Sequence, residues 1–226
     1  MAITVTQALN GTGTNATITL TVPPNTGQPI VVLAGGWASN VQIGATDNAS
    51  NGAYSVLGFN WDTTNSRALQ ALWIKSSASS GSNLVITLSG SVFATYLALV
   101  LNGFAGTATA DTSLTANWNS PSGTTGTFSP IASTQNNEIL LMTTATGSFQ
   151  TAQPSGWSEP STSHTDYYAI CATSGTSKNF AFTINATSWF DGLLTGIYDA
   201  VTTSSGSLTF NAPGVISGLP ALPLRS

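Results

Sequence analysis

The sequence predicts an all-β protein: a two-sheet antiparallel β-sandwich built from two pseudo-repeated halves and followed by an extended C-terminal arm. Three observations carry this. Short apolar segments recur along the chain, separated by Ser, Gly, Asn and Pro clusters that mark turns. No stretch places apolar residues at i, i+3, i+4 and i+7 for three turns, so the helical period is missing. Finally, Asn83-Leu84-Val85-Ile86-Thr87-Leu88-Ser89-Gly90-Ser91-Val92-Phe93 returns without a gap as Asn179-Phe180-Ala181-Phe182-Thr183-Ile184-Asn185-Ala186-Thr187-Ser188-Trp189. The chemical class is kept at nearly every position. Leu97 to Leu101 is echoed by Leu193 to Ile197, and Pro29 to Leu33 more loosely by Glu138 to Met142.

In chain order, Thr17-Ile18-Thr19-Leu20-Thr21-Val22 alternates with period two, the mark of a strand buried on one face, and Pro23-Pro24-Asn25 ends it. Ile30 to Leu33 is continuously apolar, which suits a strand buried on both faces. Leu69 to Ile74, Leu84 to Leu88 and Tyr96 to Leu101 complete the strands of the first half, with turns at Ser76–Ser82 and Gly103–Gly106. The second half offers Ile139 to Thr143, Tyr167 to Ala172, Phe180 to Ile184 and Leu193 to Tyr198. The interval from Ala108 to Thr134 is poor in large apolar residues. It reads either as a linker or as the crossover and edge strands of one sandwich. The second reading is preferred, because each half alone leaves an apolar face bare. The expected organisation is therefore one sandwich domain over residues 1–206, with pseudo-repeats at about 16–107 and 125–200. Residues 207–226 form the arm. Its Pro213, Pro220 and Pro223 lack the N–H that a central strand needs.

Composition narrows the function classes. Charged residues make up 5% of the chain, against about 25% in an ordinary soluble domain. Net charge is −4, and the only cations are Arg67, Lys75, Lys178 and Arg225. Four cations do not neutralise a phosphate backbone or an anionic lipid surface, so neither nucleic acid nor a membrane is expected as a partner. Low charge fits a surface solubilised by hydroxyls and amides, and equally one covered by neighbouring subunits or working outside the cell. With so few ion pairs and carboxylates, thermal stability is expected to vary little with salt or between pH 5 and pH 8. Cys171 stands alone, so no intrachain disulfide is expected, and its strand-like surroundings make it a small buried apolar residue. Met1-Ala2-Ile3-Thr4-Val5-Thr6 lacks the basic and apolar regions of a signal peptide. The expectation is synthesis in a host cytoplasm and a place on a virion, which lysis releases without secretion.

One stretch of residues resembles a known class. An apolar strand leads to Gly36-Trp37-Ala38-Ser39-Asn40-Val41 and then to Thr46-Asp47-Asn48-Ala49-Ser50-Asn51-Gly52-Ala53-Tyr54. An aromatic strand with Trp73, the strand Asn83 to Thr87 and a strand ending in Asn102-Gly103-Phe104 follow. This order is similar to β-sandwich modules of bacteriophage virion proteins (decoration and tail proteins) and of bacterial surface proteins. Gly156-Trp157 through Tyr198 fits the same plan, so the resemblance spans residues 16 to 200. It implies a jelly-roll-like sandwich with a structural or adhesive role, and brings no catalytic residues.

The chemistry-bearing residues are sparse. His164 lies in Ser163-His164-Thr165-Asp166, but neighbours in an extended segment point to opposite faces, so these residues do not make a triad. His164 is read as a surface histidine. Gly11-Thr12-Gly13-Thr14-Asn15-Ala16 precedes a strand, not a helix, and so lacks the anion-binding helix terminus. Asp47 to Gly52 is oxygen-rich but lacks the further carboxylates of a calcium loop, and reads as an Asx turn. Asp62, Glu159 and Asp166 are the acids considered for glycosidase-type work, and nothing in the sequence singles them out. No catalytic residue, metal or cofactor is expected.

Two functions remain. The first is a non-enzymatic structural protein of a phage virion, a capsid decoration or tail component. It would assemble as a homo-oligomer, on analogy a trimer, with other virion proteins such as the major capsid protein. Phe210, Val215, Ile216, Leu219, Leu222 and Leu224 of the arm are the inter-subunit contacts in this reading. The second is a carbohydrate-binding or adhesion module that stacks host-surface glycans on Trp37, Tyr54, Trp61, Trp118 and Trp157.

Overall fold

The computed structural model describes residues 2–14, 16–37, 42–77, 83–90, 94–147, 150–151, 153–160 and 165–200. The arm, residues 207–226, and His164 lie outside the described residues. Thirteen strands and no helix are found among those described. They are β1 (Thr4–Gly13), β2 (Thr17–Leu20), β3 (Ile30–Trp37), β4 (Gly44–Asp47), β5 (Ser55–Asp62), β6 (Arg67–Ile74), β7 (Leu84–Ser89), β8 (Ala94–Asn102), β9 (Thr107–Ala110), β10 (Ala116–Ala132), β11 (Glu138–Thr146), β12 (Asp166–Cys171) and β13 (Ser177–Ala200).

The antiparallel sandwich is present, and it is built from three sheets. The central sheet runs β1-β8-β3-β6-β5, the outer sheet β2-β7-β4, and the second-half sheet β10-β13-β11-β12 with β9 also on β13. In the first half β1 pairs with β8, β2 with β7 and β3 with β6. These nested pairs are what a long antiparallel ribbon gives when rolled into two facing sheets, the jelly-roll arrangement. The first half therefore closes a sandwich by itself. The sequence reading missed this because β1, β4 and β5 carry little apolar alternation. β1 is polar and half-exposed, β4 has four residues, and β5 bulges between Val56 and Gly58.

The central sheet is buried on both faces, as the continuous apolar run of β3 requires. Ile30, Val32 and Ala34 pack with Ile18, Leu20, Leu84, Ile86 and Leu88 of the outer sheet. Val31 and Leu33, one residue out of phase, pack with Leu97, Leu99, Ile139, Leu141, Leu193 and Ile197. That second cluster joins the two halves.

The second half repeats the pairing plan with fewer, longer strands. Leu20 opposite Leu84 in β2·β7 corresponds to Phe128 opposite Phe180 in β10·β13. The separate strands expected at Phe180–Ile184 and Leu193–Tyr198 are one continuous strand, β13. Its N-terminal part does the work of β7, and its C-terminal part that of β8. Register shifts in β10 at Ser120/Gly123, Gly123/Thr125 and Phe128/Ile131 let the ribbon turn over the face of its own sheet. There Phe128, Phe180, Phe182 and Phe190 meet Leu140, Met142, Tyr167 and Trp157 in a third cluster. Gly192 lies directly under the Phe128 ring, where a Cβ would come within 2.6 Å of it. Gly103 has φ +89° and sits where a Cβ would strike the carbonyl of Ala2, so the β8 turn needs glycine.

Candidate functional site

Two of the five aromatic residues expected to contact glycans are not on the surface. Tyr54 and Trp157 are core residues, which corrects the sequence reading for both. Tyr54 packs in the first-half core and its hydroxyl donates to Asp47. Trp157 stacks edge-on against Phe180, and its indole N–H donates to the Asn179 carbonyl. Both rings bury a large apolar body while the polar handle keeps a hydrogen-bond partner. Trp118 is half-buried with its ring 4.4 Å from that of Phe128. Trp61 is half-buried on edge strand β5. The backbone of Trp37 ends β3 opposite Arg67; its side chain lies outside the described residues, as do the arm residues Phe210, Val215, Ile216, Leu219, Leu222 and Leu224.

The Asp47 loop is an Asx turn, as expected. One carboxylate oxygen accepts from the backbone N–H groups of Ala49 and Asn51, and the other from the Asn51 amide and Tyr54 hydroxyl. Four protein donors thus occupy the oxygens that a calcium ion would need. Cys171 is buried, as expected.

The unusual chemistry lies in the acids, six of which fall into three close pairs. Asp111 accepts from the Ser113 backbone, the Ser113 hydroxyl and the Thr134 hydroxyl. Burial alone would raise this carboxyl, yet these donors hold it below the ordinary range. Its neighbour Glu138, fully buried, is pushed up to about 7 by burial and by Asp111, although Thr134 and Gln135 donate to it. Asp166 is pushed up to about 6, first by burial and then by Glu159, against the opposing hydroxyls of Thr143 and Thr165. Behind it Tyr167 donates to Gln150, whose amide donates to Thr144.

The third pair, Asp62 and Asp191, joins the two halves. Asp62 ends β5 and caps the β5–β6 turn, accepting from the backbone of Thr64 and Asn65 and from the Asn65 amide. Burial raises its carboxyl, but those donors and Asp191 together bring it below the ordinary range. Asp191, in the middle of β13, is 0% exposed. Burial and the neighbouring Asp62 push it up to about 8, with Arg67 opposing. Arg67, lowered to about 10 by burial and held up by Asp191, lies 4.7 Å over the Trp189 ring. Beside them the Asn60 amide donates to the carbonyls of Trp118 and Gly192 and to the Asn119 side chain. The Asn117 amide returns a bond to the Phe59 carbonyl.

Two carboxyls with separated pKa values are the pattern of an acid–base dyad. Here Asp62 is only 6% exposed and its partner is fully buried, so what the pair can exchange is a proton across the seam. A cleft at the opposite end of the central sheet, lined by Gly27, Pro29, Lys75, Phe104 and Thr107, holds no acid. Of the acids weighed from the sequence, Asp62 and Asp166 are buried in pairs and Glu159 neighbours Asp166. Asp191, Arg67, Glu138 and Asp111 were missed. The available signal was a lone charge inside an apolar strand, as in Trp189-Phe190-Asp191-Gly192-Leu193.

Fold and site together define the class: an antiparallel β-sandwich protein in which two jelly-roll-like halves share a core and a buried carboxyl seam. No protein-family model, curated protein sequence or solved structure matches the chain.

Proposed function

We propose that this chain is a non-enzymatic structural protein of a bacteriophage virion, a capsid decoration or tail component. It works as a homo-oligomer, on analogy a trimer, in contact with the major capsid protein or another virion protein. It is made in the host cytoplasm. The observation that supports this most directly is the shared core between the two halves, which makes them one block. Buried acids and aromatics are used to join strands and halves. Jelly-roll sandwiches serve both capsid and lectin roles, so the fold alone does not choose between them. β13 ends at Ala200, paired with Thr107 of β9, and the apolar residues of 207–226 follow. In this reading they cross to a neighbouring subunit.

Removing residues 208–226 tests the arm. Light scattering of the full chain is expected to give an oligomer, and the truncated chain a monomer with unchanged strand content. Equal masses for the two would sink the arm.

The second reading, a glycan-binding module, is supported by one specific feature. Phe59 and Trp61 are half-buried at alternate positions of edge strand β5, near the exposed Val56. If that strip binds sugars, Trp61→Ala is expected to lower retention on glycan arrays at least tenfold, a loss of about 1.4 kcal/mol and within what uncovering a large apolar side chain costs. Identical array profiles for the two proteins, or none above background, would remove this reading.

A further inference from the structure

The seam between β5 and β13 carries more polar chemistry than strand packing requires. Asp191 sits in the ladder between Asn119 of β10 and Ala145 of β11, both neutral. Neither of its carboxyl oxygens receives a hydrogen bond from a donor among the described residues. From the other half, Asp62 of β5 and Arg67 of β6 are the charged groups that face it. The Asn60 bonds cross at the same place, at 2.8 to 3.3 Å.

We propose that Asp62 and Asp191 form a proton-dependent latch between the two halves: a shared proton closes the seam, and its loss opens the seam while each half keeps its own core. The Asp62 oxygens are already committed to Thr64 and Asn65, so Asp62 stays the acceptor and Asp191 carries the proton. Protonated, Asp191 donates to Asp62, and Arg67 balances the remaining charge. Deprotonated, two carboxylates face one guanidinium in a site closed to water, and separation relieves them. The direction follows from the two states of Asp191. In the closed seam it keeps its proton up to about pH 8, whereas in the open, hydrated seam it behaves as an ordinary carboxyl. Opening therefore grows as pH rises from the ordinary carboxyl range, by at most about tenfold per pH unit, and levels off above pH 8. The outer sheet has no part in the latch. Its strands β2, β7 and β4 pack on the other face of the central sheet.

Hydrogen exchange of the full chain, read by mass spectrometry and corrected for the intrinsic pH dependence of exchange, tests this. Peptides over residues 55–62 and 188–194 report the seam, and residues 84–89 of β7 the control. Between pH 5 and pH 8 the seam peptides are expected to open at least tenfold more, and by a larger factor than the control. Asp191→Asn, whose amide donates to Asp62 and has no proton to lose, is expected to hold the seam closed across the range. A flat seam, a control that rises equally, or an unchanged rise in Asp191→Asn overturns the latch. Should that variant fail to fold, seam against control in the wild-type chain decides the matter alone.

Discussion

Residues 1–107, expressed alone, are expected to form strands yet fail to remain monomeric. The first half closes its own jelly roll, with Ile18, Leu20, Ile30, Val32, Leu84 and Ile86 inside. Its other face is different. Val31, Leu33, Leu69, Trp73, Leu97 and Leu99 pack against the second half in the intact chain and would face water in the fragment. At roughly 1.5–3 kcal/mol for each large side chain, that exposure amounts to about 10 kcal/mol. A whole domain has a net stability of only about 5–15 kcal/mol, so self-association or loss of structure must follow. Light scattering with circular dichroism would report aggregates or a fragment dimer. A soluble monomer that melts cooperatively would show that the shared core is dispensable.

The intact chain is expected to lose stability as pH rises from 5 to 8, although its low charge predicts indifference. Glu138, Asp166 and Asp191 are raised in the folded state, to about 7, 6 and 8. A raised carboxyl contributes its stability fully below the unfolded value and loses it as pH climbs through the folded one. Each of the three therefore costs up to about 1.4 kcal/mol per pH unit while the folded state alone keeps its proton. Asp62 and Asp111 are lowered and act in the opposite sense, but below their ordinary range, outside this window. Together the three amount to about 7 kcal/mol over the interval. For a domain of this size, 1 kcal/mol moves the melting midpoint by about 2–4 °C, so a fall of about 15–30 °C is expected. Glu138→Gln retains an oxygen for Thr134 and Gln135 and offers an amide to Asp111, and should flatten part of the curve. A midpoint constant from pH 5 to pH 8 would mean that the buried carboxyls ionise without penalty.

The strands were legible where burial imposed a local pattern. β2 alternates because one face is covered, β3 and β11 are continuously apolar because both faces are covered, and the echo at residues 83 and 179 marks strands in equivalent roles. β1, β4 and β5 were not legible, because edge strands held mainly by ladder hydrogen bonds need no apolar period. The same limit explains Tyr54 and Trp157. An aromatic beside a turn looks alike in sequence whether it covers the core or faces solvent.

By itself, then, the sequence determined the all-β class, the sandwich, the scarcity of charge and the recurrence of a strand plan, since side-chain alternation is written locally. The tertiary structure alone decided that there are three sheets, that β13 is one strand, and that the acids work in pairs. Asn60 and Gly192 bond across 132 positions of sequence. A carboxyl's proton affinity depends on what lies within a few ångströms in space, and only folding brings Asp62, Arg67 and Asp191 together. The chain spends few charges, and folding buries most of its acids where their desolvation and mutual repulsion count most.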